Sequence, residues 1–342
     1  MMRAALLAGS AILAGAPAAQ AQVTVKVGTV KSISTVATLT AIEKGYFQEF
    51  GIRVETEDLN TSANAMALLA RNQLQVVEGG IAAGYFNALE GNFPITAVTD
   101  RVSSPLGHSL MLRPDLKAIT RIRDLKGKVI AINGPGSVST YELGKMLETD
   151  GLTITDVELK VLTFPQIGVA FNNKAIDAAI VIQPFTSQFR DAGYAIDFKD
   201  PDRLVQPWPL TIAVVMINTD WAKPNRELLR NYFTAYLHGV RDYCQAYHGG
   251  ANRAELTERL IRTRTETREE ALSNYPWPAR DPDGRINVAS MLDMQDWFRR
   301  NKFGDANFPA ARLADPSYAE YAAARLGPFV LEKEGSTLGG CR

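Results

Sequence analysis

The sequence predicts an α/β fold of two lobes, each a mostly parallel sheet flanked by helices. Three observations carry that expectation. Strand-like and helix-like runs alternate along the chain, the pattern of a parallel sheet with crossover helices. The order strand, hydroxyl-rich loop, helix, strand, helix, strand, loop occurs twice, with nearly equal spans from Ser32 to Gly79 and from Ser137 to Gln183. The chain has 342 residues, 46% of them hydrophobic, enough core for more than one compact unit.

The chain opens on MMRAALLAGSAILAGAPAAQAQ. Arg3 supplies a positive start, 4–14 an apolar run, and Ala19-Gln20-Ala21 an A-x-A cleavage pattern, so 1–21 reads as an export leader and the mature chain is expected from Gln22. The apolar run is shorter than the about 20 residues needed to cross a bilayer. No cysteine follows it to carry a lipid.

In the first unit, 23–27 alternates like a strand, and 34–47 has helical spacing up to Gly45 and Gly51. Strand 52–55, helix 63–71, strand 74–77, the loop Gly79-Gly80, helix 82–89 and strand 95–98 follow. The pattern restarts with strand Val129–Ile132, the loop Gly134-Pro135-Gly136-Ser137-Val138-Ser139, helix 140–149, strand 157–161, helix 167–172 and strand 178–182, which ends at Gln183-Pro184. The apolar run 210–217 reads as a strand returning to the first unit. The remainder is mostly helical, over Arg226–Tyr247, 254–262 and Val288–Arg300, interrupted by the proline-rich loop 274–284, in which Trp277 pins the loop or covers a cleft.

Composition excludes several function classes. Lys plus Arg and Asp plus Glu both number 37, so no global basic excess suits nucleic acid or a membrane surface. Two cysteines and three histidines, without clustered ligands, predict no metal and no cofactor. Whether Cys244 pairs with Cys341 is left open by the sequence.

The two hydroxyl loops point to anion binding. In an open parallel sheet, ligands sit where strands end and helices begin. The first turn of a helix presents unpaired N–H groups and a partial positive charge. Ser and Thr add short neutral donors, and glycine admits close approach. Gly136, Ser137, Ser139 and Thr140 have all three ingredients; Ser32, Ile33, Ser34 and Thr35 supply the hydroxyls and the helix. Partner loops a βα unit later add Asn60, Thr61 and Ser62, then Gly80 and Ile81, and in the second unit Gln183 and Phe185. Plain helix capping explains one such loop as well. A dinucleotide fingerprint fails at its third glycine, where Ser139 stands, and no phosphate loop or nucleophile elbow occurs. Nothing in the spacing makes Ser137 or Ser139 a nucleophile with His108, which is expected near an interlobe crossing.

From about residue 23 to 245 the chain resembles the solute-binding proteins of nitrate, sulfonate and taurine type ABC importers, a group that shares its fold with the thiamine-pyrimidine synthesis proteins. The likeness rests on Val27-Gly28 leading into Ser32 and Thr35, on Ala41-Ile42-Glu43-Lys44-Gly45-Tyr46-Phe47, on Asp124-Leu125-Lys126-Gly127-Lys128-Val129, and on Asp177-Ala178-Ala179-Ile180 before Gln183-Pro184. The resemblance implies a type II periplasmic binding protein: lobe I over 22–103 plus 213–342, lobe II over 104–212, and crossings near 101–106 and 208–213. It implies a monomer that closes on a small anionic ligand and hands it to a permease and its ATPase, without catalysis and without nucleic acid. A ligand-sensing receptor domain and an enzyme of the thiamine-pyrimidine type are the alternatives. Many relatives carry an acidic residue where Gln183 stands. Its neutrality disfavours a zwitterion such as taurine and, with Phe164, Tyr85, Phe86, Phe185 and Trp208 near the cleft loops, favours an aromatic carboxylate or sulfonate. Lys31 is a candidate for a second acid group.

Overall fold

The computed structural model describes residues 22–29, 32–59, 62–263, 276–333 and 340–341, with the backbone alone for 62–64. Two five-stranded sheets organise it. The first contains β1 (Val23–Thr29), β2 (Ile52–Asp58), β3 (Val76–Gly80), β4 (Ile95–Ser103) and β10 (Thr211–Asn218), in the order β2-β1-β3-β10-β4. The second contains β5 (Ser109–Leu112), β6 (Val129–Ile132), β7 (Glu158–Val161), β8 (Ala178–Val181) and β9 (Ile196–Lys199), in the order β7-β6-β8-β5-β9. The two orders match position by position. In each sheet four strands run parallel and one, β10 or β5, runs antiparallel between them, and that strand is the one the chain enters on crossing from the other sheet. Each sheet with its helices is called a lobe below.

The repeated pattern in the sequence is therefore a repeated topology, but the boundaries differ in places. The predicted helix 34–47 is shorter, because the chain makes a single 3-10 turn, Ile33–Thr35, before α1 (Val36–Glu43) and stops at Lys44 and Gly45. The Gly79-Gly80 loop is not a loop. Both glycines sit in β3, paired with Val214 and Ala213 of β10, whose ladder overrides their weak strand propensity. Strands β5 and β9, of four residues each, fall in stretches the sequence analysis assigns to no element.

Helices α2 (Ser62–Ala70) and α3 (Ala83–Glu90) complete the first lobe's βα units; α4 (Val138–Glu148), α5 (Phe164–Asn172) and α6 (Phe185–Asp191) complete the second's. The short α7 (Pro201–Leu204) and α8 (Thr219–Ala222) flank β10. The long α9 (Arg226–Tyr247) and α10 (Arg253–Arg262) cover the back of the first sheet with α1. Trp277 is 2% exposed and lies under Arg253, whose guanidinium stands 3.6 Å from its ring centre, so this indole pins its loop.

Helix α11 (Val288–Arg300) is shared between the lobes. The largest apolar cluster runs from Val77 and Ile95 in the first sheet to Leu110, Ile130 and Ile180 in the second, joined through Met291, Met294, Trp297 and Phe298 of α11. Against α4, the Asp293 carboxylate accepts from the Tyr141 hydroxyl at 2.6 Å and the Lys145 ammonium at 3.0 Å, and the Trp297 indole donates to Glu148 at 3.0 Å. Trp297 meets Tyr141 edge-on and lies over Gly144. A Cβ at Gly144 would stand 2.0 Å from the indole ring. Gly144→Ala is therefore expected to destabilise the fold by about 1–3 kcal/mol through overpacking, exceeding the about 1 kcal/mol that alanine gains in a helix. A urea or guanidinium midpoint measures it, and an unchanged or higher midpoint would contradict the packing described.

Candidate functional site

The first hydroxyl loop folds as the sequence analysis expects, but over a cation it does not name. The Ser32 and Ser34 hydroxyls lie 2.9 Å apart, and the Thr35 hydroxyl accepts the Ser32 N–H at 3.1 Å. Arg101, near the end of β4, reaches beneath them: its Nη2 donates to Ser32 Oγ at 3.2 Å and to Thr35 Oγ1 at 3.1 Å. Its Nε donates to Glu78 Oε2 at 3.3 Å, while Thr38 donates to Glu78 Oε1 at 2.6 Å. Arg101 is 4% exposed and Glu78 not at all. The turn thus rests on a buried Arg–Glu pair whose guanidinium fixes the loop hydroxyls. A basic residue inside a strand-like run has no recognisable spacing, so only the fold reveals it.

A second guanidinium supports the same turn. Arg280 Nη1 donates to the Ser34 carbonyl at 3.3 Å, and its Nη2 to the Tyr236 hydroxyl at 2.9 Å. It belongs to the strap 276–284, which is bonded along the crossing strand: Ser103 N–H donates to the Ala279 carbonyl at 3.0 Å, and the Asp281 N–H to Asp100 Oδ2 at 2.9 Å. Burial, aided by the neighbouring Asp281, pushes the Asp100 carboxyl up to about 7, against the pull of its N–H partner and of Arg280.

The second hydroxyl loop is self-capped. Ser137 is the N-cap of α4 and accepts the Thr140 N–H at 3.3 Å. The Thr140 hydroxyl donates to the Gly134 carbonyl at 2.7 Å, and the Ser139 hydroxyl to Asn133 Oδ1 at 2.5 Å. These two hydroxyls spend their protons inside the loop. The donors it can offer outward are the first-turn amides of Val138 and Ser139. Gly136 has φ +63 and touches the other lobe: its carbonyl accepts the Ala83 N–H at 2.9 Å, and a Cβ there would stand 2.8 Å from the Ala83 Cβ. The structure so joins the turn after Gly80 in lobe I to the Gly136 loop in lobe II.

The other predicted site residues fall out unevenly. Ile33 and Ile81 are 4% and 0% exposed and belong to the apolar cores, so their side chains are structural. Asn60 and Thr61 lie outside the described residues, as do Lys31 and the side chain of Ser62. Gln183 accepts the Ser187 hydroxyl at 3.1 Å and lies beside Gly107 and Pro276, where the strap meets lobe II. Phe185 stacks on Phe164 at 5.5 Å and packs on the second lobe's outer core. Tyr85 and Phe86 are core residues. Trp208 is 43% exposed, and its N–H is bonded to Gln206. Two residues the sequence analysis misses are Thr29, ending β1, and Thr186, in the first turn of α6. Both are 1% exposed with hydroxyls that lack a hydrogen-bond partner, one in each lobe at a strand-to-helix turn. Their only sequence signal is position.

His108 follows the first crossing, with Nδ1 2.9 and 3.1 Å from the two oxygens of buried Glu142. Its imidazole is desolvated, but Glu142 and the nearby Asp202 and Asp200 hold its pKa above the usual range. It is committed to that pair and not to Ser137 or Ser139. No group of three or more His, Cys, Asp or Glu side chains able to share a metal occurs among the described residues, and no described helix is long and apolar enough to cross a membrane.

Two matched open sheets, joined by crossings between them and presenting strand-end loops to one another, define the periplasmic binding protein fold. The chain belongs to the family described as NMT1/THI5 like, whose model matches residues 33–246. Among similar solved structures is the periplasmic aliphatic sulphonate binding protein SsuA from Escherichia coli, at TM-score 0.69 and 18% identity over 86% of this chain and 92% of that one. The periplasmic nitrate-binding protein NrtA from Synechocystis PCC 6803 gives 0.70 and 13% over 89% of each chain. The desulfurization enzyme DSZB gives 0.63 and 14% over 89% and 100%. At these identities the likeness is one of fold. No curated protein sequence matches the chain.

Two outcomes are expected from the buried charges. Arg101→Met strands the Glu78 carboxylate and costs about 3–5 kcal/mol; adding Glu78→Gln recovers most of it, and denaturant midpoints of the single and double variants decide. The second concerns pH. Unfolded, Asp100 titrates near the usual carboxylate value of about 3.9; folded, it does so at about 7. The folded state holds that proton more tightly, so the stability Asp100 contributes is complete below about pH 4 and is lost as pH rises through 7. Asp100→Asn removes the dependence, and the variant's stability relative to the parent should rise by a few kcal/mol, roughly, between pH 4 and 8. Parallel pH profiles of parent and variant would refute it.

Proposed function

We propose that the chain is an exported solute-binding protein that holds a small organic anion, a sulfonate or carboxylate, between its lobes and delivers it to an ABC importer in the inner membrane. On this reading 1–21 is removed on export to the periplasm, lobe I spans 22–103 and 213–342, and lobe II spans 104–212. The observation that carries the proposal is the pair of strand-end turns on α1 and α4, one per lobe, with the lobes touching at Ala83 and Gly136. Each turn offers neutral amide donors at a helix start, where a negative group is favoured. The orphan hydroxyls of Thr29 and Thr186 add a buried donor in each lobe. The Arg101–Glu78 pair adds no net charge, so the site selects an anion by oriented dipoles, and closure of the lobes on it supplies the form a permease distinguishes. The family and the likeness to sulphonate- and nitrate-binding proteins support this class of ligand. Gln183 places no carboxylate opposite a ligand ammonium, and the Phe164–Phe185 stack beside that loop favours an apolar or aromatic body.

Catalysis is not part of the proposal, although one neighbour on this fold is an enzyme. The same fold hosts unrelated functions, and the chemistry must come from the site. Here the loop hydroxyls serve the loops themselves, and His108 is taken up by Glu142.

The test is a thermal-shift and calorimetric screen of alkyl and aryl sulfonates and carboxylates against neutral sugars and amines. Anions should raise the melting temperature by mass action, and a shift with sugars or amines alone would overturn the ligand class. Val138→Pro sharpens it. Position N1 of a helix tolerates proline, and Ser137 already has the extended backbone that proline requires before it. One amide donor is lost with the fold intact. Affinity for the anion should fall about tenfold or more, as for one charge-assisted hydrogen bond, with the unliganded melting temperature unchanged. Undiminished affinity would remove α4 from the site.

A further inference from the structure

Cys244 and Cys341 lie far apart in sequence and come together in the fold. Cys244, on α9, is 0% exposed and Cys341 2%, and both belong to the apolar core behind the first sheet. They share one backbone group: the Arg280 carbonyl accepts the Cys341 N–H at 3.1 Å and lies 3.9 Å from the Cys244 sulfur. The Cys341 thiol is thus a neighbour of the Cys244 thiol and, after burial, raises its pKa further. The residue before Cys341 is also seated, since the Gly340 carbonyl is 3.0 Å from His248 Nε2, and a Cβ at Gly340 would press on Ala279 and Pro105.

We infer that Cys244 and Cys341 form a disulfide in the exported protein, and that this bond clamps the 340–341 segment over the strap 276–284. An oxidising compartment suits such a bond. Each thiol gives up its hydrogen; the S–S bond forms as two electrons and two protons pass to a disulfide-bearing oxidant, which leaves as two thiols. Burial and the neighbouring thiol push the Cys244 thiol well up, so in the finished fold it is unreactive, and oxidation belongs to the folding chain. The bond's significance lies in what it covers. The strap it holds is paired to the crossing strand at Ser103 and props the Ser34 carbonyl through Arg280. The disulfide therefore fastens the rear support of the first hydroxyl loop, a role independent of which ligand the cleft accepts.

The inference rests on the export reading for its setting, and the experiment is done in vitro so that the two can fail separately. The full chain, reduced and unfolded, is refolded with oxidised glutathione, then denatured, alkylated, digested and mapped by mass. The expected result is a linked peptide pair carrying Cys244 and Cys341, about 2 Da lighter than the two thiol peptides together, and no alkylated cysteine. Both cysteines alkylated, or each capped by glutathione, would overturn the bond. Melting then tests the clamp. Reductant should lower the melting temperature of the oxidised protein by roughly 5 °C or more, and Cys341→Ser should melt at the reduced value with or without reductant. Equal melting of oxidised and reduced protein would leave the strap held by its hydrogen bonds alone and sink the clamp.

Discussion

The antiparallel pair of β4 and β10 is the constraint on which the rest of the molecule hangs. Every residue of both strands is buried, nine in β4 and eight in β10. Strands covered on both faces carry no alternation, and β4, at the edge of the sheet, pairs with β10 through a ladder broken by register shifts. The chain leaves the first lobe from the end of β4 and re-enters it at the start of β10. The two crossings are tied to each other at that point, with Ser104 N–H donating to the Leu210 carbonyl at 3.0 Å and Leu210 N–H to Ser104 Oγ at 3.1 Å. Arg101 and the strap partners Asp100 and Ser103 belong to the same strand, so the position of the first hydroxyl loop is set by the element that also sets the hinge.

Electrostatics at the site follow from that burial. A guanidinium enclosed in the protein is tolerated only with a partner, and Glu78 on β3 is that partner. Once paired, Arg101 does not attract an anion as a free charge would; it orients Ser32 and Thr35. The second loop reaches the same condition without any charge, its hydroxyls bonded to Asn133 and Gly134. In both loops, then, side chains hydrogen-bond within the turn that starts the helix. A sequence rich in serine and threonine at such a turn invites the idea that the hydroxyls bind. Their geometry makes them scaffolding, while the Thr29 and Thr186 hydroxyls lie buried without a partner.

What the sequence makes legible divides along physical lines. Strands buried on both faces are continuous apolar runs, so Val129–Ile132 and the core of β10 stand out. The repeat of hydroxyl loops reflects repeated topology and is visible for that reason. Strands β5 and β9 are not: SLML and IDFK are too short for a period, and their pairing with each other comes from the sheet. Gly79 and Gly80 misled because glycine signals a break locally, while the partner strand β10 is more than a hundred residues away. Separation in sequence also hides the Arg101–Glu78 pair, the Arg280 contact with Ser34 and the meeting of Ala83 with Gly136. Each depends on two elements that only the complete fold makes neighbours.

Helix α11 is bonded both to the second crossing and to α4. Its start is fixed at the hinge: Asn287 N–H donates to Thr211 Oγ1 at 3.1 Å, its side chain to the Pro209 carbonyl at 2.7 Å, and Ser290 Oγ accepts the Thr211 N–H at 3.1 Å. Its far end grips α4 through Asp293, Trp297 and Arg300. A rotation of the second lobe about the Ser104–Leu210 tie displaces contacts in proportion to their distance from it, so the Trp297–Gly144 and Trp297–Glu148 contacts part before those at Asn287. The N-terminus of α4 is the second lobe's hydroxyl loop, and the same rotation that separates Trp297 from α4 carries the Gly136 carbonyl away from Ala83. On the proposed function, opening the cleft and releasing α11 are therefore one movement. On the proposed function, the free energy of the α11–α4 interface contributes to holding the lobes together around a ligand, because interfaces packed this tightly are either made or broken.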